Sequence, residues 1–392
     1  MAILYLAWQY WRYHPRRSLL LIATISIIIA LPMGFQRLVD EVSADLTLRA
    51  GQTPYILAAK GGRTDITISA LYFQAFAGEK ISLGAARELA RLNAGRVLPL
   101  QLDYEAAGYR IVATELGYFQ QRNLQVESGR LFALLGECVL GARVASELQI
   151  KIGDGLLTSA SDAFAVAEGP PLKLRVTGIM QATGGADDDV IFIDLKSAWV
   201  IAGYAHGHEE LKADSNNRNV LQISDSTIVA SPALLNYVEI TPQNMHSFHS
   251  HGNSDQFLLS AALFFPATRK DELLVRGAYQ DHPGNLQLIR STSVITDLLA
   301  VLLSARTAVL MGSLVMTAIA IVLLYLVFTL SLRLRREEFT NMRRLGAGEA
   351  RICSLIAVEI GFVVAIALGI ALLLVELASV WGSALLTWLI RI

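Results

Sequence analysis

Five of the seven histidines in this chain fall between positions 206 and 251: His206, His208, His246, His249 and His251. Glu209, Glu210 and Asp255 stand beside them. Neutral imidazole is a favoured ligand for zinc, nickel and copper, and three or four converging ligands make a site. Spacings of two and three residues can bring such ligands to one side of a strand or turn, and Gly207 and Gly252 allow tight backbone paths. Zinc is therefore the candidate cofactor. Two other readings stay open: a polar loop whose histidines are simply solvated, and a contact that responds to pH through imidazole titration. A catalytic zinc is disfavoured, because His208-Glu209 begins like a metalloprotease motif but Lys212 stands where H-E-x-x-H needs its second histidine. Serine and cysteine nucleophile motifs are absent. So is a glycine loop ending in Gly-Lys-Ser/Thr, so ATP hydrolysis must come from another polypeptide.

A second group of chemistry-bearing residues lies near the C-terminus. Arg335 to Ala350 is amphipathic: Phe339, Met342 and Leu345 recur at three-residue spacing, while Arg336, Glu337, Arg343 and Arg344 cover the rest. Such a segment suits an interfacial helix on anionic lipid or a helix that docks into a cytoplasmic partner. Glu359 follows within an apolar run. A carboxylate at that depth must be protonated, paired or turned inwards. No cation within the apolar runs offers itself as its partner, which disfavours a proton relay.

The elements that carry these groups are set by three apolar runs, at residues 18–34, 308–332 and 352–375. About 20 apolar residues suffice for a helix to cross a bilayer core. The 53% hydrophobic content fits a few spans attached to a globular domain, and a net charge of −1 gives no reason to expect nucleic acid as a partner. Arg12, Arg16 and Arg17 precede the first run, and Arg333, Arg335, Arg336, Arg343, Arg344 and Arg351 fill the loop between the last two. The positive-inside rule puts both groups in the cytoplasm and the middle of the chain outside it, in the periplasm of a Gram-negative inner membrane. The first run lacks a small-residue cleavage site at Leu31-Pro32-Met33-Gly34 and reads as an uncleaved span continuing into a stalk. Cys138 and Cys353 fall on opposite sides in this topology and cannot pair within one chain.

The resulting layout is a cytoplasmic N-terminus and first span over residues 1–35 and an extracytoplasmic α+β domain with helical stalks over 36–300. A second span at 301–334, a cytoplasmic helix at 335–351, a third span at 352–376 and an apolar tail at 377–392 complete it. Three spans are clear and a fourth is not evident. Inside the domain, helices are predicted over 84–94 and 140–150, the latter ending at Gly153-Asp154-Gly155. Strands are predicted over 110–114, 172–180 and 190–193, with Gly184 to Asp189 as a turn. Residues 205–256 read as a polar, His-rich insertion, and the apolar stretch 294–332 is too long for a bilayer alone.

Four stretches resemble the MacB/LolC/FtsX-type ABC transporter permeases, the mechanotransmission class. They are Tyr13 to Leu21, Val139 to Asp154, Val176-Thr177-Gly178-Ile179 with Asp188 to Ile193, and Arg335 to Ala347, in the family's order along the chain; Glu359 matches an acidic residue that follows. The His-rich region departs from the common pattern, and the family usually has four spans. The resemblance implies that 335–350 docks onto a cytoplasmic ABC ATPase, through Arg336, Glu337, Phe339, Met342, Arg343, Arg344 and Leu345. It also implies a second permease subunit, identical or different, and a periplasmic metal-binding or adaptor protein as a further partner. Transition-metal handling is the favoured substrate class; lipoprotein release, efflux and regulation of a cell-wall hydrolase are the rivals. The chain itself is expected to be non-catalytic.

Overall fold

The computed structural model describes residues 9, 15–76, 78–159, 171–207, 220–224, 227–230, 237–250, 252–280 and 282–391. The chain folds as two compact units: one takes Thr47–Thr296, the other Met1–Leu46 together with Asp297–Ile392.

Helix α1 (Pro15–Gln52) starts on a proline, whose fixed φ suits the first helical position, and passes through Pro32 unbroken. The first unit takes its last turn and then alternates strands with short helices: β1 (Tyr55–Ala59), α2 (Arg63–Tyr72), α3 (Leu83–Arg91), β2 (Gly95–Ala106), β3 (Tyr109–Thr114), α4 (Gly117–Gln121), β4 (Val126–Gly129), β5 (Glu137–Leu140), α5 (Ala142–Leu148), β6 (Gly155–Leu157), β7 (Leu172–Met180), β8 (Val190–Asp194), α6 (Leu195–Ile201), β9 (Val238–Glu239), β10 (Ala261–Pro266), α7 (Arg269–Gln280) and β11 (Leu286–Arg290). Among the described residues the strands form one mixed sheet in the order β9-β7-β5-β8-β3-β2-β10-β1-β11, with β4 and β6 also paired to β7. The β3–β8, β5–β7 and β7–β9 pairs are parallel; the other pairs are antiparallel.

Side chains on a strand alternate between faces, and here both faces are buried. Tyr55, Leu57, Ile111, Ala113, Cys138, Leu140, Ile191 and Ile193 join Leu89 of α3, Val144 of α5, Ala198 of α6 and Val275 of α7 in one core. Their strand neighbours Ile56, Ala58, Val112, Val139, Val190 and Phe192 join Ile66 and Ala70 of α2 and Tyr118 and Phe119 of α4 in the other. This is why Tyr55-Ile56-Leu57-Ala58-Ala59 reads as an unbroken apolar run. Cys138 is buried there as a small apolar residue, and its thiol is pushed up by burial.

Two glycines in the stretches quoted above are glycines for lack of space. A Cβ on Gly141 would come within 2.4 Å of the Asp188 carbonyl oxygen, and one on Gly178 within 2.4 Å of the Arg130 carbonyl oxygen. Each lets two backbone segments touch, one at the start of α5 and one inside β7.

In the second unit, α8 (Ser291–Leu334), α9 (Arg336–Arg344) and α10 (Glu349–Arg391) follow α1. Leu21 and Ile22 of α1 pack on Val363 and Ala367 of α10, and Ser26 Oγ donates to the Ala367 carbonyl at 3.0 Å. Small residues allow this close approach, since Ala367 and Ala371 are fully buried. Farther along, Arg37 pairs with Glu376 at 3.0 Å and Arg306 with Asp40 at 3.2 Å. Helices α1 and α10 therefore run in one direction and α8 in the other. Among the described residues three helices, over Leu19–Gln52, Ser291–Leu323 and Glu349–Ala378, are long and apolar enough to cross a membrane.

The apolar tail expected as a separate segment from residue 377 is instead the continuation of α10, which runs without a break from Glu349 to Arg391. No proline interrupts that stretch, and leucine and alanine favour the helix. Among the described residues the His-rich region contributes two short separate strand pairs, Ala205–Gly207 with Phe248–Ser250 and Val220–Ser224 with Thr227–Ala230, and the edge strand β9 of the main sheet.

Replacing Gly141 by alanine is expected to destabilise the chain by about 1–3 kcal/mol through overpacking against backbone. Gly51→Ala, in the last turn of α1 with nothing within 4 Å of its Cβ position, should instead stabilise by about 0.5–1 kcal/mol. Thermal melts of the purified chain check both.

Candidate functional site

Helix α9 is a short amphipathic segment between two long apolar helices. Glu337 and Glu338 lie in its first turn and Arg343 and Arg344 in its last, the charge placement that a helix dipole favours. Arg335 alone separates it from α8. At the other end, Gly346 takes φ +91° and lets the chain leave for α10, with Ala347 N–H donating to the Met342 carbonyl at 2.9 Å.

The helix does not present Phe339, Met342 and Leu345 as one apolar stripe. Phe339 is buried, Met342 half-buried, and Leu345 stands 89% exposed just past the last turn. Three-residue steps fall 60° short of a full turn each time, so a stripe spaced by threes winds off the face it started on. Arg336, Glu337, Arg343 and Arg344 are exposed. The outward surface thus carries three arginines, Glu337, Glu338 and one leucine, while Phe339 belongs to the inside.

Arg335 joins Phe339 inside. Its guanidinium lies 5.0 Å from the Phe339 ring centroid, donates through Nη1 to Glu359 Oε2 at 2.9 Å, and through Nε to Glu338 Oε2 at 3.0 Å. Glu359, which the sequence left without a cation, therefore has one. Its partner comes from the end of α8, 24 residues earlier, outside the apolar run where a partner was sought. A carboxylate held this way is an ion-pair member, which argues against a relay.

A second polar centre lies in the Thr47–Thr296 unit. Arg49, on the last turn of α1, donates through Nη1 to Asp187 Oδ2 at 2.7 Å and through Nε to the Leu71 carbonyl. Tyr118 Oη–H donates to Asp187 Oδ1 at 2.7 Å, and Arg122 Nη2 stands 3.6 Å from the same carboxylate. Arg122 also donates to Gln52 Oε1 and Thr53 Oγ1, at 3.1 and 3.2 Å. The Arg49 guanidinium is stacked near Tyr72 and Phe73, with centroids 5.3 and 5.2 Å away. Burial pushes the Asp187 carboxyl up, but Arg49, Arg122 and the hydrogen bonds from Arg49 and Tyr118 outweigh it and hold the group below the usual carboxylate range. Burial likewise pushes the Tyr118 hydroxyl up. The next two aspartates have separate roles. Asp188 accepts from the Thr183 and Gly184 amides, and Asp189 pairs with Arg143 of α5 at 3.0 Å.

The histidines are only partly brought together. His206 and His249 face each other across the Ala205–Gly207/Phe248–Ser250 pair, with ring centroids 5.4 Å apart. His246 lies in the Met245–Ser247 turn, and His208 and His251 fall outside the described residues. Among the described residues no group of three or more histidine, cysteine, aspartate or glutamate side chains is gathered as a metal site would need.

The model of the MacB-like periplasmic core domain matches residues 18–231, more than half of the chain. The chain belongs to that family. Membership of the MacB/FtsX-type ABC transporter permeases, which the four stretches indicated, is thereby shown. No curated protein matches. Among solved structures, the extracellular domain of the noncanonic ABC-type transporter YknZ from Gram-positive bacteria aligns at 9% identity and a TM-score of 0.34, covering 60% of this chain and 98% of that one. The periplasmic region of MacB from Actinobacillus actinomycetemcomitans aligns at 9% identity and a TM-score of 0.33, covering 63% and 92%. The MacB-like domain of this chain has its quoted stretches at β5–α5, in β7, and at the Ala186–Asp189 turn leading into β8.

Arg49, Tyr118, Arg122 and Arg335 were not singled out as site residues from the sequence. The available signal was an arginine next to apolar residues near each helix end. In the MacB-like domain, Arg49→Met removes one partner from a buried charge and is expected to cost about 3–5 kcal/mol in stability. Because the folded Asp187 carboxyl titrates below its ordinary pKa of about 3.9, its contribution is whole above that value and is lost as pH falls through the lowered one. Asp187→Asn should therefore lower the melting temperature near neutrality and flatten its fall on the acid side, read from melts across the pH range.

Proposed function

We propose that this chain is the permease subunit of an inner-membrane ABC transporter, with its N-terminus in the cytoplasm and its MacB-like domain in the periplasm. A separate cytoplasmic ATPase docks on α9 and drives movements of the periplasmic domain. The observation that carries this reading is the surface that α9 presents. Arg336, Arg343, Arg344 and Leu345 are exposed on a nine-residue helix held between two candidate spans, in a family whose members work with an ATPase on a partner chain. The arginine bias of this loop and of the residues before α1 supports the orientation.

A second permease subunit completes the membrane part. The three candidate spans found among the described residues are too few to form a permease core from one copy. Substrate need not pass between the spans in such a machine. Three kinds of load suit a moving periplasmic domain: an efflux substrate, a lipoprotein, or a cell-wall hydrolase awaiting activation. Only the His206–His249 pair supports a metal load among the described residues, so the proposal is built without zinc.

The chain purified from its own membranes should carry ATP hydrolysis with it. Arg343→Glu combined with Arg344→Glu should abolish the co-purified hydrolysis, while the amount of chain and its melting temperature stay as in the parent. Undiminished hydrolysis in that variant would refute docking through α9.

A further inference from the structure

Helix α9 hangs between two joints of different character. Toward α8 the joint is the single residue Arg335; toward α10 it is the stretch Leu345–Gly348, with a glycine at φ +91° and a second glycine after Ala347. A helix of nine residues on a glycine-containing joint is free to swing unless side chains fix it. Two ion pairs reach from its neighbourhood to α10. Arg343–Glu349 is solvent-exposed on both sides, at 52% and 70%, and exposed pairs hold geometry weakly. Arg335–Glu359 is buried on both sides, at 9% and 13%, and is closed by Glu338 and the Phe339 ring. A buried charge is costly to leave unpaired, so this pair resists separation where the other does not.

We propose that Arg335 and Glu359 are the positioning pair of the coupling segment. They clamp α9 to the third candidate span, so that a displacement of α9 is passed to α10 instead of being absorbed at the glycine joint. The pair sits at the inner end of α10. Arg37–Glu376 and Arg306–Asp40 lie toward its other end and tie α10 and α8 to α1, so the same helix is held at two levels. This inference rests on the docking reading for its purpose, though not for its geometry.

The test uses the full chain in a phosphatidylethanolamine–phosphatidylglycerol bilayer, with Cys353→Ser and a spin label carried at Asn341→Cys, an exposed position of α9 outside the docking residues. In the parent the label should show an immobilised component. Glu359→Gln and Arg335→Gln should each lose it, and the charge exchange Arg335→Glu with Glu359→Arg should restore it. A label equally immobile in both single variants, or an exchange that fails to restore order, would overturn the clamp. A second label at Leu377→Cys, on an exposed position of α10, adds a readout that simple loss of folding would not give. With the co-purified ATPase, the 341–377 distance should stay fixed on adding ATP in the parent and shift in Glu359→Gln, whose docking residues are intact. A distance that shifts in the parent would also overturn it. The nucleotide-free label measurement needs no ATPase, so failure of docking and failure of the clamp give different results.

Discussion

The buried carboxylate of Asp187 is the point on which the Thr47–Thr296 unit depends. It takes the charge of Arg49 from the end of α1, stands near Arg122 of the α4 end, and accepts the hydroxyl of Tyr118 from the core. Two cations and one anion out of water would be unfavourable without this geometry, because desolvation of each group must be offset by contacts of good quality. Aromatic faces supply part of the remainder: Tyr72 and Phe73 flank Arg49, and Tyr118 flanks Arg122. The three aspartates in a row then act in three directions. Asp187 fixes the helix end, Asp188 closes its own loop, and Asp189 reaches α5, whose first turn touches the same loop through Gly141.

The second unit follows a related rule on a different scale. Its apolar helices have no directional preference for one another beyond packing, since lipid is as apolar as leucine. Register must come from small residues and polar pairs, and both are present: Ala367 where α1 approaches, Ser26 on a carbonyl, and ion pairs at the two ends. A glutamate in an apolar run reads as a functional group in isolation. In the fold it is one half of a strut.

Where the chemistry is local, the sequence was legible. The strands at 110–114, 172–180 and 190–193 and the helix at 84–94 announced themselves by alternation or by helical spacing, and they stand as β3, β7, β8 and α3. The 294–332 run stands as α8. Strand β2 was missed although Leu98, Leu100, Leu102 and Tyr104 alternate with Gln101, Asp103 and Glu105 as a strand should, with only Pro99 against it; Gln101 is satisfied by Ser260, far away in sequence. The same limit hid the ion pairs. Arg49 and Asp187 are 138 residues apart, and Arg335 and Glu359 are 24, so neither pair leaves a spacing to read. Of the five clustered histidines, the described residues bring only His206 and His249 together, because proximity along the chain does not by itself make a coordination sphere.

The position of β1 carries a consequence for biogenesis. It is the first strand of the domain to leave the ribosome, yet its two neighbours in the sheet are β10 and β11, some two hundred residues later. Its five residues are all apolar or aromatic and all end up buried. Until nearly the whole domain has been synthesised, this strand has no edge to pair with. Long-range pairing of this kind is slow to form and leaves an aggregation-prone edge open meanwhile. The order of synthesis thus leaves the first strand unpaired until the last two have been made.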